Sequence, residues 1–146
     1  MATFSRSVTV DWTGTLMEGK GSVKAGTGAF SVPVTFPARL GEPQGMTTPE
    51  ELMAASHAVC YAMGLAANLG RNGGSAKNLK VTATVTADKG DAGIKLTTSK
   101  LTAVAEGLQG VDAAKFTEIA NAAEKGCPIS NAIRGSMQIS VEASTK

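Results

Sequence analysis

The chain has 146 residues, 42% hydrophobic and 18% charged, with a formal net charge of +2. That is the size of one ordinary domain, able to bury about two thirds of the surface its unfolded chain exposes, and it is too apolar and too near neutral for a disordered or acidic-tailed segment. Its Lys and Arg are scattered and only 4% of the residues are aromatic, whereas a nucleic-acid surface needs a basic stripe with interleaved aromatics, so nucleic acid is excluded as the expected partner.

Residues 7–12 alternate and stop at Thr13-Gly14, which reads as a strand ending in a turn. Residues 19–24 and 30–36 read as the next two strands, separated by Ala25-Gly26-Thr27-Gly28, so that the three form an antiparallel meander. Pro33 has no N–H for a ladder, which puts the third strand at an edge or on a bulge. Residues 37–45, with Arg39 among them, read as a loop.

Thr48-Pro49-Glu50-Glu51 then opens a long helix. Thr48 can cap it, Pro49 suits the first helical position, Glu51 completes a capping box, and both carboxylates meet the positive end of the helix dipole. From Leu52 to about Gly70 the residues Leu52, Ala55, Ser56, Val59, Cys60, Met63, Ala66 and Ala67 recur at spacings of three and four. Ala54, Ala58, Ala62 and Gly64 leave the other faces apolar too, so the helix is expected to be enclosed by sheet or by another subunit.

After the breaker Arg71-Asn72-Gly73-Gly74, residues 79–88 and 93–105 both alternate and predict a β-hairpin turning near Lys89-Gly90-Asp91. Residues 112–125 predict a helix capped by Asp112, with Phe116, Ile119, Ala120 and Ala123 as its apolar stripe and Gly126 as its end. Residues 136–143 give a last strand. The sum is an α+β fold in a single domain over residues 1–146.

The first residues, Met1-Ala2-Thr3-Phe4-Ser5-Arg6, lack the apolar core of a signal peptide, and no uninterrupted apolar run reaches about 18 residues. A cytoplasmic protein with no membrane partner is therefore expected. Two cysteines, one histidine and no C-x-x-C supply neither a zinc site nor a disulfide framework, and no metal or cofactor is expected. In a reducing compartment the two thiols are either small buried hydrophobes or reactive groups.

Cys127, followed by Pro128, sits where a short helix starts, and unpaired amides at such an N-cap favour a thiolate. Cysteines without chemistry also occur there. Cys60 lies in the middle of the long helix, where no dipole end helps it, so a reactive Cys60 must draw positive charge from elsewhere. Arg39, between Phe36 and Leu40, is the candidate, and Glu50 or Glu51 could hold its guanidinium in a bidentate pair. The plainer readings are a solvated arginine and carboxylates that only cap. His57, three residues before Cys60, allows a Cys–His pair for acyl transfer, although a histidine satisfied by local hydrogen bonds is simpler. Met53, Met63 and Leu65 either line an apolar substrate pocket or fill the core.

Three stretches carry a family resemblance: Thr48-Pro49-Glu50-Glu51-Leu52 with Ala54-Ala55-Ser56-His57-Ala58-Val59-Cys60; Asp88-Lys89-Gly90-Asp91-Ala92-Gly93-Ile94; and Ala122-Ala123-Glu124-Lys125-Gly126-Cys127-Pro128-Ile129-Ser130. With them the chain resembles the osmotically inducible protein C (OsmC) family, within the superfamily shared with the organic hydroperoxide resistance (Ohr) proteins. Arg39, following the third strand, favours the OsmC branch. The resemblance implies an antiparallel sheet wrapped around a long central helix bearing Cys60, an intertwined homodimer with active sites at the subunit interface, and a stress-defence peroxidase acting on organic hydroperoxides and more weakly on hydrogen peroxide. By similarity Cys60 is the peroxidatic thiol, Cys127 the resolving thiol, and Arg39 with Glu50 the charged pair beside them, while the reductant is an external dithiol of lipoyl type. A noncatalytic ligand-binding relative with the same fold is the alternative.

Overall fold

A computed structural model describes residues 1–146. The elements run β1 (Val8–Thr13), β2 (Lys20–Ala25), β3 (Ser31–Val34), α1 (Phe36–Leu40), α2 (Pro49–Arg71), β4 (Asn78–Gly90), β5 (Gly93–Glu106), α3 (Ala113–Gly126), α4 (Pro128–Ile133) and β6 (Gln138–Thr145). The contacts fall into two compact units, Met1–Leu52 and Met53–Lys146, and α2 begins in the first and continues through the second.

In the first unit β1, β2 and β3 form an antiparallel sheet in that order. The missing N–H of Pro33 is tolerated because β3 is an edge strand, and the carbonyl of Pro33 accepts from the Thr47 N–H at 3.0 Å. The stretch read as a loop after β3 instead winds into α1. Thr35 has extended backbone and accepts from the Ala38 N–H at 3.3 Å, and a proline lies in the first turn, so a cap and a Pro-compatible start suffice for one short helix. Arg39 is thereby in the last turn of a helix rather than in a loop. At the head of α2, Thr48 Oγ1 accepts from the Glu51 N–H at 3.1 Å. The returning half of the capping box is not made, because the Glu51 carboxylate accepts from Thr47 Oγ1 at 2.7 Å instead.

In the second unit β4 and β5 form the expected hairpin, Gly90 facing Gly93 across the turn. Gly93 closes that turn with φ at +110°, a conformation that penalises any residue with a Cβ. β6 pairs with β5 in parallel, so this sheet is mixed. A parallel neighbour needs a long crossover, and α3 with α4 provides it. The Asp112 carboxylate caps α3 by accepting from the Lys115 N–H at 2.7 Å. The core joins Tyr61, Leu65 and Leu69 of α2, Leu101, Ala103 and Ala105 of β5, and Phe116, Ile119, Ala120 and Ala123 of α3. Phe116→Ala is expected to cost about 3–5 kcal/mol through the cavity it leaves, read as a lowered urea midpoint at unchanged slope.

The stripe read along α2 is not the one that packs inside the chain. The sunken face is His57, Tyr61, Leu65 and Leu69, one residue every four, while Val59 and Met63 are 55% and 69% exposed in the protomer. Both faces are apolar enough to pack, and periodicity alone does not rank them. The polar atoms of His57 and Tyr61 disguised the core face, yet the Tyr61 hydroxyl is satisfied by donating to the Ala120 carbonyl at 3.0 Å. By length and composition α2 would also pass for a membrane span, but it is the helix whose sunken face builds this core.

Candidate active site

The second unit brings the two cysteines together. Cys60 is half-buried on α2, Cys127 is 1% exposed between α3 and α4, and both are thiols. The Cys127 thiol and the backbone N–H of Ile129 are the two groups whose influence reaches the Cys60 sulfur. Cys127 is the N-cap of α4, with Pro128 in the first turn and no side-chain cap hydrogen bond, and the Ile129 amide of that turn acts on Cys60. Burial pushes the Cys60 thiol above its ordinary range, the Ile129 N–H pulls it down, and the neighbouring Cys127 pushes it up again. A further positive charge is therefore needed to make Cys60 a ready thiolate near neutral pH.

The first unit holds a second pair. Arg39 donates from Nη2 to Glu50 Oε1 at 2.6 Å and from Nε to the same carboxylate at 3.0 and 3.3 Å, a two-point clamp. Glu50, not Glu51, is thus the partner. Burial works to raise the Glu50 carboxyl, but the hydrogen bonds and charge of Arg39, with its own backbone amide and the Thr48 hydroxyl, outweigh it and hold the group below the ordinary carboxylate value. Arg39 also lines a pocket of about 190 Å³ with Trp12, Leu16, Val34, Phe36 and Pro49. Sequence reasoning missed Trp12 and Leu16 as pocket residues; the one usable signal was an arginine placed among aromatic and aliphatic neighbours. Of the side chains read as possible pocket lining, Leu65 is core and Met63 points outward.

The sequence model for the family described as OsmC-like protein matches residues 41–142. The chain belongs to the OsmC-like family. It is 35% identical over 129 residues to Peroxiredoxin OsmC of Escherichia coli (strain K12), with 88% of this chain and 89% of that protein covered, and equally similar to Peroxiredoxin OsmC of Shigella flexneri. Among solved structures it is similar to the organic hydroperoxide resistance protein OhrB of Bacillus subtilis, at 25% identity and a TM-score of 0.74 over 97% of this chain and 99% of that one. An organic hydroperoxide resistance protein from Elizabethkingia anophelis gives 25% identity and a TM-score of 0.76, with 100% of both chains covered. The curated relatives place the chain in the OsmC branch of the superfamily.

In this OsmC-like chain His57 is wholly buried between two serines. Nδ1 lies 2.7 Å from Ser99 Oγ on β5, and Nε2 lies 2.7 Å from Ser130 Oγ on α4. Both ring nitrogens are occupied, so His57 is not a base for Cys60, and acyl transfer loses its only histidine. No cluster of His, Cys, Asp and Glu suited to a metal ion is formed. Burial holds the imidazole below its ordinary value of 6.5, with Glu124 acting in the opposite direction. The unfolded chain therefore takes up the proton first as pH falls, so the stability contributed by neutral His57 is complete above about pH 6.5 and declines below it. Thermal unfolding is expected to drop between about pH 7 and about pH 5, and to drop less in His57→Gln.

Proposed function

We propose that this OsmC-like protein is a cysteine-based peroxidase that reduces organic hydroperoxides to alcohols, with Cys60 as the attacking thiol and Cys127 as the resolving thiol. The observation that carries the proposal is that the second unit makes Cys127 and the Ile129 N–H, at the start of α4, the neighbours that act on the Cys60 thiol of α2. Peroxide-related redox function is also what the name of the curated relative, Peroxiredoxin OsmC, describes. The Cys60 thiolate attacks the distal oxygen of ROOH; the S–O bond forms, the O–O bond breaks, and RO⁻ leaves and takes a proton as the alcohol, so the sulfur is oxidised to a sulfenic acid. The Cys127 thiol then attacks that sulfur, forming the disulfide and releasing water. An external dithiol, of lipoyl type, gives up two electrons and two protons to restore both thiols. The clamped Arg39 supplies the positive charge that favours the thiolate and the departing alkoxide, and Glu50 keeps its guanidinium in orientation.

The apolar walls around Arg39, Trp12, Leu16 and Phe36 among them, favour a hydroperoxide with a hydrocarbon tail over hydrogen peroxide. The working unit in this proposal is a homodimer in the cytoplasm. In the first unit Val8, Val10, Trp12, Leu16 and Met17 are exposed, and in the second so are Val59 and Met63, more apolar surface than an isolated protomer would leave in water. Sedimentation is expected to find a dimer in the wild type and monomer in Met63→Glu. The decisive assay is peroxide consumption with dihydrolipoamide as reductant. Faster turnover of cumene hydroperoxide than of hydrogen peroxide supports the proposal, and consumption of neither rejects it.

A further inference from the structure

We infer that His57 is a positioning residue for the thiol pair: through Ser130 it pins the first turn of α4 and so holds both the Ile129 N–H and the Cys127 thiol against Cys60. The inference rests on the reading of Cys60 and Cys127 as the redox pair. His57 takes no part in the proposed steps, yet it is fully buried and joins three elements, α2 that carries Cys60, β5 through Ser99, and α4 through Ser130. Cys60 is one helical turn beyond His57, so the two side chains leave α2 in neighbouring directions. Ser130 follows Ile129 directly and lies three residues after Cys127. The link from His57 to Ser130 therefore ties α2 to the same first turn of α4 that begins at Cys127 and carries the Ile129 N–H.

That gap needs such a link. α4 has six residues, begins with a proline, and receives no side-chain cap from Cys127, so its start is weakly held by local bonds. A neutral imidazole carries one N–H and one bare nitrogen, so one serine accepts from the ring and the other donates to it. Which serine does which is immaterial here, because a hydroxyl can do either. Bonds at both nitrogens fix the ring plane, and a fixed ring fixes the distance from α2 to Ser130. The charge that acts on His57 is Glu124 of α3, itself held by Arg134 at 2.6 Å.

Removing the Ser130 hydroxyl tests this with little change of volume. In a Cys127→Ser background, Ser130→Ala is expected to move the pH midpoint of Cys60 alkylation by iodoacetamide upward by about half a unit to one unit, because the turn that carries the Ile129 N–H is no longer held toward α2. In the two-cysteine protein, Ser130→Ala is expected to slow disulfide formation after one equivalent of cumene hydroperoxide about tenfold, the worth of one lost hydrogen bond, with sulfenic acid trapped meanwhile by dimedone. Ser130→Thr, which keeps the hydroxyl, is expected to restore both readouts toward wild type. If Ser130→Ala lowers the melting temperature but leaves the alkylation profile and the condensation rate at wild-type values, His57 is a packing residue and the inference fails. The alkylation readout needs no peroxide. A shifted midpoint in a protein that consumes no peroxide would sink the peroxidase proposal while upholding the positioning role.

Discussion

Replacing Cys60 with serine is expected to lower kcat/KM for cumene hydroperoxide on the order of a thousandfold or more, because a serine hydroxyl is not ionised near neutral pH and no other thiol occupies that place. Cys127→Ser has a different signature. The first step survives, so the variant should consume one equivalent of peroxide per protomer, gain one oxygen atom by mass spectrometry, and then stop unless an external thiol attacks the sulfenic acid directly. Stoichiometric reaction without turnover in Cys127→Ser, together with a dead Cys60→Ser, assigns the two roles in that order. The reversed pattern would reassign the attacking thiol to Cys127, against the reading in which the Ile129 N–H favours the Cys60 thiolate.

What the sequence revealed and what it hid divide along physical lines. The β4–β5 hairpin was legible because alternation over so many residues has one structural meaning, and α3 because its cap, stripe and terminal glycine agree. α1 was hidden because a helix of five residues leaves no period to read, only the Thr35 cap and an early proline. α2 was legible as a helix but not in its orientation. Its composition offers two apolar faces, and the face that packs inside carries His57 and Tyr61, whose polar atoms are satisfied only by residues far along the chain.

The candidate site shows the same division. Arg39 and a partner carboxylate at Glu50 or Glu51 could be named from chain proximity and helix-start chemistry, the choice of Glu50 resting on the family resemblance, and the clamp does join residues close in sequence. The Ile129 N–H could not, because every residue other than proline has such a group and only the approach of α4 to α2 gives this one a role. Likewise, a thiol in the middle of a helix looked remote from any helix end until the fold brought the start of another helix to it.

The remaining large effect concerns Arg39. Within the protein the Cys60 thiol is held up by burial and by Cys127, and the Ile129 N–H opposes them only in part. If the guanidinium clamped by Glu50 is the missing positive charge, Arg39→Gln should raise the pH midpoint of Cys60 alkylation by about 1 to 3 units, the range an adjacent arginine exerts on an acid. The sign follows from the reactive species: the thiolate forms at higher pH once the cation is gone, so activity at neutral pH falls and recovers as the solution is made alkaline. Glu50→Gln keeps the cation but loosens its orientation, so it should lower kcat/KM with a smaller shift of the midpoint. Arg39→Lys, which keeps the charge and loses the fork, should fall between wild type and Arg39→Gln in its alkylation profile. An unmoved alkylation midpoint in Arg39→Gln would mean that Arg39 and Glu50 only tie α1 to the head of α2, and that the charge activating Cys60 comes from elsewhere.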